Sequence, residues 1–209
     1  MQANIPTTMI NFDSLLFNID FQQRLPGPGS LLVAEPFLRE KYFHHSVICL
    51  VDYEPGGSAM GIVLNRQTGT PLQSLISGIT VERPIPVFCG GPMSCDRLYF
   101  IHSLGSIIPG SKPIADSGLY IGGSFEAMTD YVNSGYPVEG CIRFFIGYSG
   151  WSERQLDEEI GNNVWAVAET PSAEMVLTAE EDAYWHRTVR AMGDDYRGWL
   201  FHPWNIHAN

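Results

Sequence analysis

The chain is short of positive charge. Of its 209 residues only 12 are basic, and just two of these are lysines (Lys41 and Lys112), against 23 acidic residues and a formal net charge of −11. Polyanions and anionic membrane surfaces recruit clustered Arg and Lys, so direct nucleic-acid binding is not expected. Long apolar runs are missing too. The longest aliphatic-or-Cys run is residues 47–51 (VICLV). A spanning helix needs about 20 apolar residues, so none is expected. No basic residue precedes Arg24, and Asn11, Asp13, Ser14, Asn18 and Asp20 interrupt the early apolar positions. A secretory signal needs a basic start and a continuous apolar stretch, so the expected location is the cytoplasm.

Cysteine is scarce and unpaired in sequence. Cys49, Cys89, Cys95 and Cys141 form no CxxC motif. A chain of this length buries roughly 70% of its unfolded surface and needs no disulfide staples, so reduced thiols are expected. Structural zinc wants ligand pairs two to four residues apart. Five residues separate Cys89 from Cys95, with His102 further on, so no metal site is expected. The phosphate-loop, dinucleotide-binding, zinc-protease and EF-hand signatures are all absent, which leaves no cofactor to expect.

What is present is ordinary for a globular protein: 44% hydrophobic and 12% aromatic residues. The segment 25–29 (LPGPG) breaks regular structure and divides an N-terminal arm, residues 1–28, from a core domain, residues 29–170. Within the arm, Leu15, Leu16 and Ile19 suit a short helix or a tail laid on the core. Strands are expected at 31–34, 46–53, 59–65, 87–89, 98–102, 119–121, 141–148 and 163–168. Residues 54–58 (EPGGS) form a hairpin turn between two of them. Runs such as 47–51 are apolar on both faces, so the sheet should be covered on both sides. Residues 71–76 suit one or two helical turns. An amphipathic helix is expected over 123–133, with Phe125, Met128 and Val132 inward and Gly135 at its end. Another begins near Ser152. In the C-terminal part, residues 171–209, Thr178 and Glu181 have capping-box spacing for a last helix to Met192, followed by an aromatic tail packed on the same domain. Strands and helices do not strictly alternate. The expected class is therefore α+β with a mixed sheet and three or four flanking helices.

Two constellations carry possible chemistry. Residues 147–151 (GYSGW) place Ser149 between a buried strand and a helix, as a nucleophile elbow does. The second glycine falls one position early, and a tight turn explains both glycines without chemistry. Free amides at that turn would suit an anion, although Glu153, Asp157, Glu158 and Glu159 oppose one. The other constellation is Cys89 with His102, needing amides near Gly90 and Gly91 as oxyanion donors. His44 and His45 are further candidate bases.

Taken in order, several segments resemble one family. Residues 29–38 (GSLLVAEPFL), Phe43, residues 46–48 and residues 61–66 (GIVLNR) carry the resemblance, as do Gly90-Gly91-Pro92, Leu98 with His102, and residues 145–151 (FIGYSGW) with Gln155, Leu156 and Glu158. Together they are similar to the YqgE/AlgH family over residues 29–168; Gln67 stands where the family usually has proline. The resemblance implies a largely antiparallel sheet curled into a pseudo-barrel and a cytoplasmic bacterial protein. It implies no catalytic residues. The family's transcriptional-regulator label rests on a genetic role in alginate production in one branch.

The expected function is therefore a non-enzymatic regulatory or binding protein, a monomer or homodimer acting through a protein partner or small ligand. The candidate surface comprises Asn65, Arg66, Gly90, Gly91, Pro92, His102, Tyr148, Ser149 and Trp151. The competing expectation is a hydrolase or thiol enzyme using Ser149, or Cys89 with His102. Residues 1–151 hold 12 acids and 8 bases, whereas residues 152–209 hold 11 acids and 4 bases. The acidity is thus concentrated outside the family-like core.

Overall fold

The computed structural model describes residues 24–40, 42–169, 172–179 and 181–201. The expected helix over Leu15, Leu16 and Ile19 lies outside the described residues. Among the described residues ten strands form one sheet: β1 (Leu31–Ala34), β2 (Val47–Tyr53), β3 (Ala59–Val63), β4 (Gln67–Pro71), β5 (Pro86–Cys89), β6 (Met93–His102), β7 (Lys112–Pro113), β8 (Tyr120–Ile121), β9 (Ile142–Trp151) and β10 (Trp165–Ala168). The order is β10-β1-β2-β3-β9-β6-β8-β7, with β4 and β5 branching beside β9. Every pairing is antiparallel except β5 with β9. The sheet is mixed and strongly curled, with four α-helices against it among the described residues: α1 (Phe125–Asn133), α2 (Gln155–Gly161), α3 (Ala173–Leu177) and α4 (Glu181–Ala191).

The sheet is covered on both faces, as its doubly apolar strands require. Leu31, Val33, Val47 and Cys49 point into one buried cluster, shared with Tyr184, Trp185 and Val189 of α4. Their neighbours Leu32, Ala34, Ile48 and Leu50 point into the opposite cluster, shared with Leu156 and Ile160 of α2. This is the two-residue alternation of a strand read on both sides. The long stretch 103–117 is anchored rather than structureless, because Ile108 and Ile114 are fully buried.

Several elements differ from expectation. Residues 149–151 are not a turn: β9 runs straight through them to Trp151, paired with β3. The following helix starts only at Gln155, after Arg154 turns the chain with a φ of +62°. Residues 71–76 make a single 3-10 turn, Leu72–Ser74. Phe125 is exposed, so α1 faces inward through Met128 and Val132, with Tyr131 packed beside them. Thr178 does not cap the last helix. It ends α3, a helix not expected from sequence, and its hydroxyl donates to the Glu174 carbonyl at 2.8 Å.

One connection shapes the centre. Phe144, Phe145 and Ile146 of β9 pair with Val87, Phe88 and Cys89 on one edge and with Phe100, Tyr99 and Leu98 on the other. The chain therefore passes from one edge of β9 to the other in three residues, Gly90-Gly91-Pro92. It crosses backbone against backbone. A Cβ on Gly91 would lie 2.2 Å from the Tyr148 carbonyl carbon, and one on Gly90 would lie 2.3 Å from the Gly147 oxygen. Gly147, at a φ of +71°, completes the contact, since a Cβ there would lie 2.5 Å from the Gly91 oxygen.

Candidate functional site

The crossing brings some of the sequence-predicted residues together. The Gly90 carbonyl accepts from Val63 N at 2.9 Å and from Ser149 Oγ at 3.3 Å. Gly91 rests on Tyr148 and Ser149. Ser149 is 1% exposed, inside a strand, with its hydroxyl donating to a carbonyl. Asn65 is also buried and acts as a strap. Its Oδ1 accepts from Val47 N at 2.9 Å, while its Nδ2 donates to the His45 and Glu181 carbonyls at 2.8 and 2.9 Å. Arg66 donates to the His44 carbonyl at 3.0 Å. Trp151 stands on the other face, its indole N–H bound by Glu159, which also takes the Trp165 N–H at 2.6 Å. Pro92 is exposed and Tyr148 half-buried beside Tyr99.

The enzyme constellations are not assembled. His102 pairs with Ile142, seven residues from Ser149 along β9, roughly 23 Å measured along the strand. Cys89 pairs with Ile146, on the opposite edge of β9 from His102 and roughly 13 Å along the strand. Both imidazole nitrogens of His102 are committed. Nδ1 accepts from Leu104 N at 3.2 Å, which fixes the proton on Nε2, donating to the Gly122 carbonyl at 3.1 Å.

A concave feature lies elsewhere among the described residues. A cleft of about 630 Å³ opens between β5, the start of β9, the C-terminal end of α1 and the α3–α4 connection. Phe88, Val132, Ile142, Arg143, Tyr136 and Thr178 contribute to its walls. Arg143 is 5% exposed. Its guanidinium lies 3.6 Å over the Phe88 ring, and it donates to the Leu177 carbonyl at 3.0 Å and to the Ala179 carbonyl. Arg83 and Glu139 pair at 3.4 Å on the rim. Tyr131 stacks on Tyr136 and donates to the Pro137 carbonyl at 2.8 Å, which orders the loop closing one side. Apolar walls with a few fixed polar groups are the usual make-up of a small-molecule site. The sequence reading missed this cleft. Its available signal was Arg143 itself, a lone cation in the apolar run 141–146 (CIRFFI).

The model of the AlgH-like family matches residues 31–197. The chain belongs to the AlgH-like family. The match runs past the segments that carry the motif resemblance and takes in α4. A UPF0301 protein of Parabacteroides distasonis is 42% identical over 195 residues, covering 93% of this chain and 97% of that one. A UPF0301 protein of Bacteroides thetaiotaomicron is 36% identical over 194 residues, with coverages of 93% and 97%. Among solved structures, a Corynebacterium diphtheriae protein matches with a TM-score of 0.67 at 22% identity, covering 90% of this chain and 97% of that one. The AlgH protein of Pseudomonas aeruginosa matches with a TM-score of 0.65 at 21% identity, with coverages of 83% and 94%. At those identities the likeness is one of fold.

Two titratable groups of this AlgH-like chain yield testable behaviour. Burial holds the His102 imidazole below its ordinary value of 6.5, and the Gly122 bond offsets this only in part. Below pH 6.5 the unfolded chain therefore takes up a proton that the folded chain does not. Stability is lost as pH falls from 6.5 toward the folded value. His102→Gln is expected to shrink the drop in urea midpoint between pH 7.5 and pH 5.5; an unchanged drop refutes this role. Burial also pushes the Cys49 thiol up to about 12. An alkylating reagent at pH 8 should leave Cys49 unmodified in the folded chain and modify it fully in urea, as read by peptide mass. The exposed Cys95 should react under both conditions.

Proposed function

We propose that this AlgH-like protein is a non-enzymatic, regulatory binding protein of the cytoplasm, working through a small ligand held in the cleft beside Arg143. The observation that carries the reading is the cleft: about 630 Å³ of apolar wall with a guanidinium fixed by two carbonyls and a ring. Ligand sites fall in this size range and have this composition. The separation of Ser149, Cys89 and His102 supports binding over acyl or thiol chemistry, which needs nucleophile and base within hydrogen-bond reach. Four free thiols suit a reducing compartment. The net charge of −11 supports an indirect regulatory role over direct contact with DNA.

The test uses N-phenyl-1-naphthylamine, a neutral dye that brightens in apolar pockets. The folded chain is expected to bind it saturably, with about one site per chain. Val138→Trp fills the cleft from its wall and should weaken binding at least about tenfold while leaving the circular dichroism spectrum unchanged. Absence of saturable binding, or binding indifferent to this substitution, refutes the cleft as the site.

A further inference from the structure

The glycine crossing holds two cysteines that neither the fold nor the cleft uses. We propose that Cys89 and Cys95 form a peroxide-oxidisable dithiol, closing a disulfide across the crossing. The thiols of Cys89 and Cys95 lie 3.8 and 3.7 Å from one and the same atom, the Gly91 carbonyl oxygen. The two sulfurs are therefore at most about 7.5 Å apart. Cys95 also reaches the Pro92 carbonyl at 3.3 Å. Cys95 is exposed and Cys89 half-buried, so a small oxidant reaches this side of the sheet through Cys95.

The remaining gap is one the backbone can close. Met93 pairs with Tyr148 and Leu98 with Ile146, so the four residues 94–97 face a single residue of β9. Cys95 thus sits on a bulge that stands off the ladder, entered through Ser94 at a φ of +49°. Shifting this bulge costs none of the register pairs of β9. The other thiols have no such opportunity. Cys49 is fully buried in β2. Cys141 lies next to Ile142, which pairs with His102 at the far end of β6.

The chemistry balances with hydrogen peroxide as oxidant. One thiolate, on the exposed Cys95 by access, attacks the peroxide, forming an S–O bond and expelling hydroxide, which leaves as water. The Cys89 sulfur then displaces the sulfenic oxygen, forming the S–S bond and releasing a second water. Two thiols are oxidised, one peroxide is reduced to two waters, and a dithiol reductant reverses the step. Because Gly90 and Gly91 lie inside the ring so formed, oxidation would pin the bulge of β6 to the end of β5.

The experiment uses the full, folded chain. It is reduced, freed of reductant, exposed to a few equivalents of hydrogen peroxide, blocked with N-ethylmaleimide and digested with trypsin. The peptide spanning residues 67–97 carries Cys89 and Cys95 and no other cysteine. It is expected to lose two hydrogens and take up no maleimide, and to regain two reactive thiols after dithiothreitol. Cys89→Ser and Cys95→Ser should each abolish this species, the latter leaving Cys89 open to maleimide. The proposal is overturned if the peptide takes two maleimides after oxidation, or if Cys95 stops at sulfinic acid. It is equally overturned if the product is a Cys95-linked dimer.

Discussion

Gly91→Ala is expected to cost at least about 3 kcal/mol, a large share of the roughly 5–15 kcal/mol that holds a domain folded. The argument is steric and local. Gly91 has a φ of +150°, a conformation that side-chain-bearing residues rarely adopt. An added Cβ would sit 2.2 Å from the Tyr148 carbonyl carbon, 2.3 Å from its oxygen and 2.4 Å from Ser149 N. These are backbone atoms of a central strand, so no side chain can swing aside. Relief means lifting the crossing off β9, which breaks the Gly90 N to Ile146 O bond at 2.8 Å and the Val63 N to Gly90 O bond at 2.9 Å. Gly161→Ala is the control. Nothing lies within 4 Å of its added Cβ, and alanine in a helix is neutral or stabilising by up to about 1 kcal/mol. Thermal melts of the two variants should diverge by at least about 6–12 °C, at roughly 2–4 °C per kcal/mol for a chain of this size. A Gly91→Ala protein melting within a few degrees of the parent would refute the crossing as the reason for these glycines.

The same glycines show what sequence could and could not convey. Their presence between two strands was plain, and the paired-glycine motif helped carry the family resemblance. Their purpose was not, because a crossing is defined by register: Phe144 pairing on both edges of β9 is a fact about strands more than 40 residues apart in the chain. The doubly apolar strands were legible for the opposite reason, since an unbroken apolar run of strand length needs no partner to be read. The GYSGW segment misled for a related reason. A glycine beside a serine suits a turn, yet Gly147 here serves the close approach of another backbone, and Ser149 stays in the ladder. The sequence places Asn65, at the end of the expected strand 59–65, on a candidate surface. Its carboxamide instead ties β2 to the start of α4, a role that depends on the Glu181 carbonyl 116 positions later. The cleft was the hardest to foresee, because its walls come from three stretches far apart in the chain, 81–88, 132–143 and 177–179.

Trp185→Ala is expected to be the most damaging change outside the crossing, and it tests how the C-terminal part joins the domain. The helix α4 was legible from its apolar spacing, but not where that face would land. Trp185 is fully buried. Its ring stacks on His45 with centroids 4.1 Å apart and lies parallel to Trp199 at 6.4 Å. Its indole N–H donates to the Ala34 carbonyl, the last residue of β1, at 2.9 Å. Truncating a buried tryptophan costs about 3–5 kcal/mol through lost transfer energy and the cavity left behind. The Ala34 carbonyl also loses its donor, about 1 kcal/mol more if water does not enter. The melting temperature should therefore fall by about 10 °C or more. Trp185→Phe keeps the stacked ring and loses the bond, so it should cost about 1–2 kcal/mol. Its smaller effect separates the packing contribution from the hydrogen bond. If residues 171–209 pack on the core as one cooperative unit, both variants will shift a single transition seen alike by tryptophan fluorescence and by far-ultraviolet circular dichroism. If the segment is an independent appendage, Trp185→Ala will abolish an early fluorescence change and leave the main dichroism transition where it was.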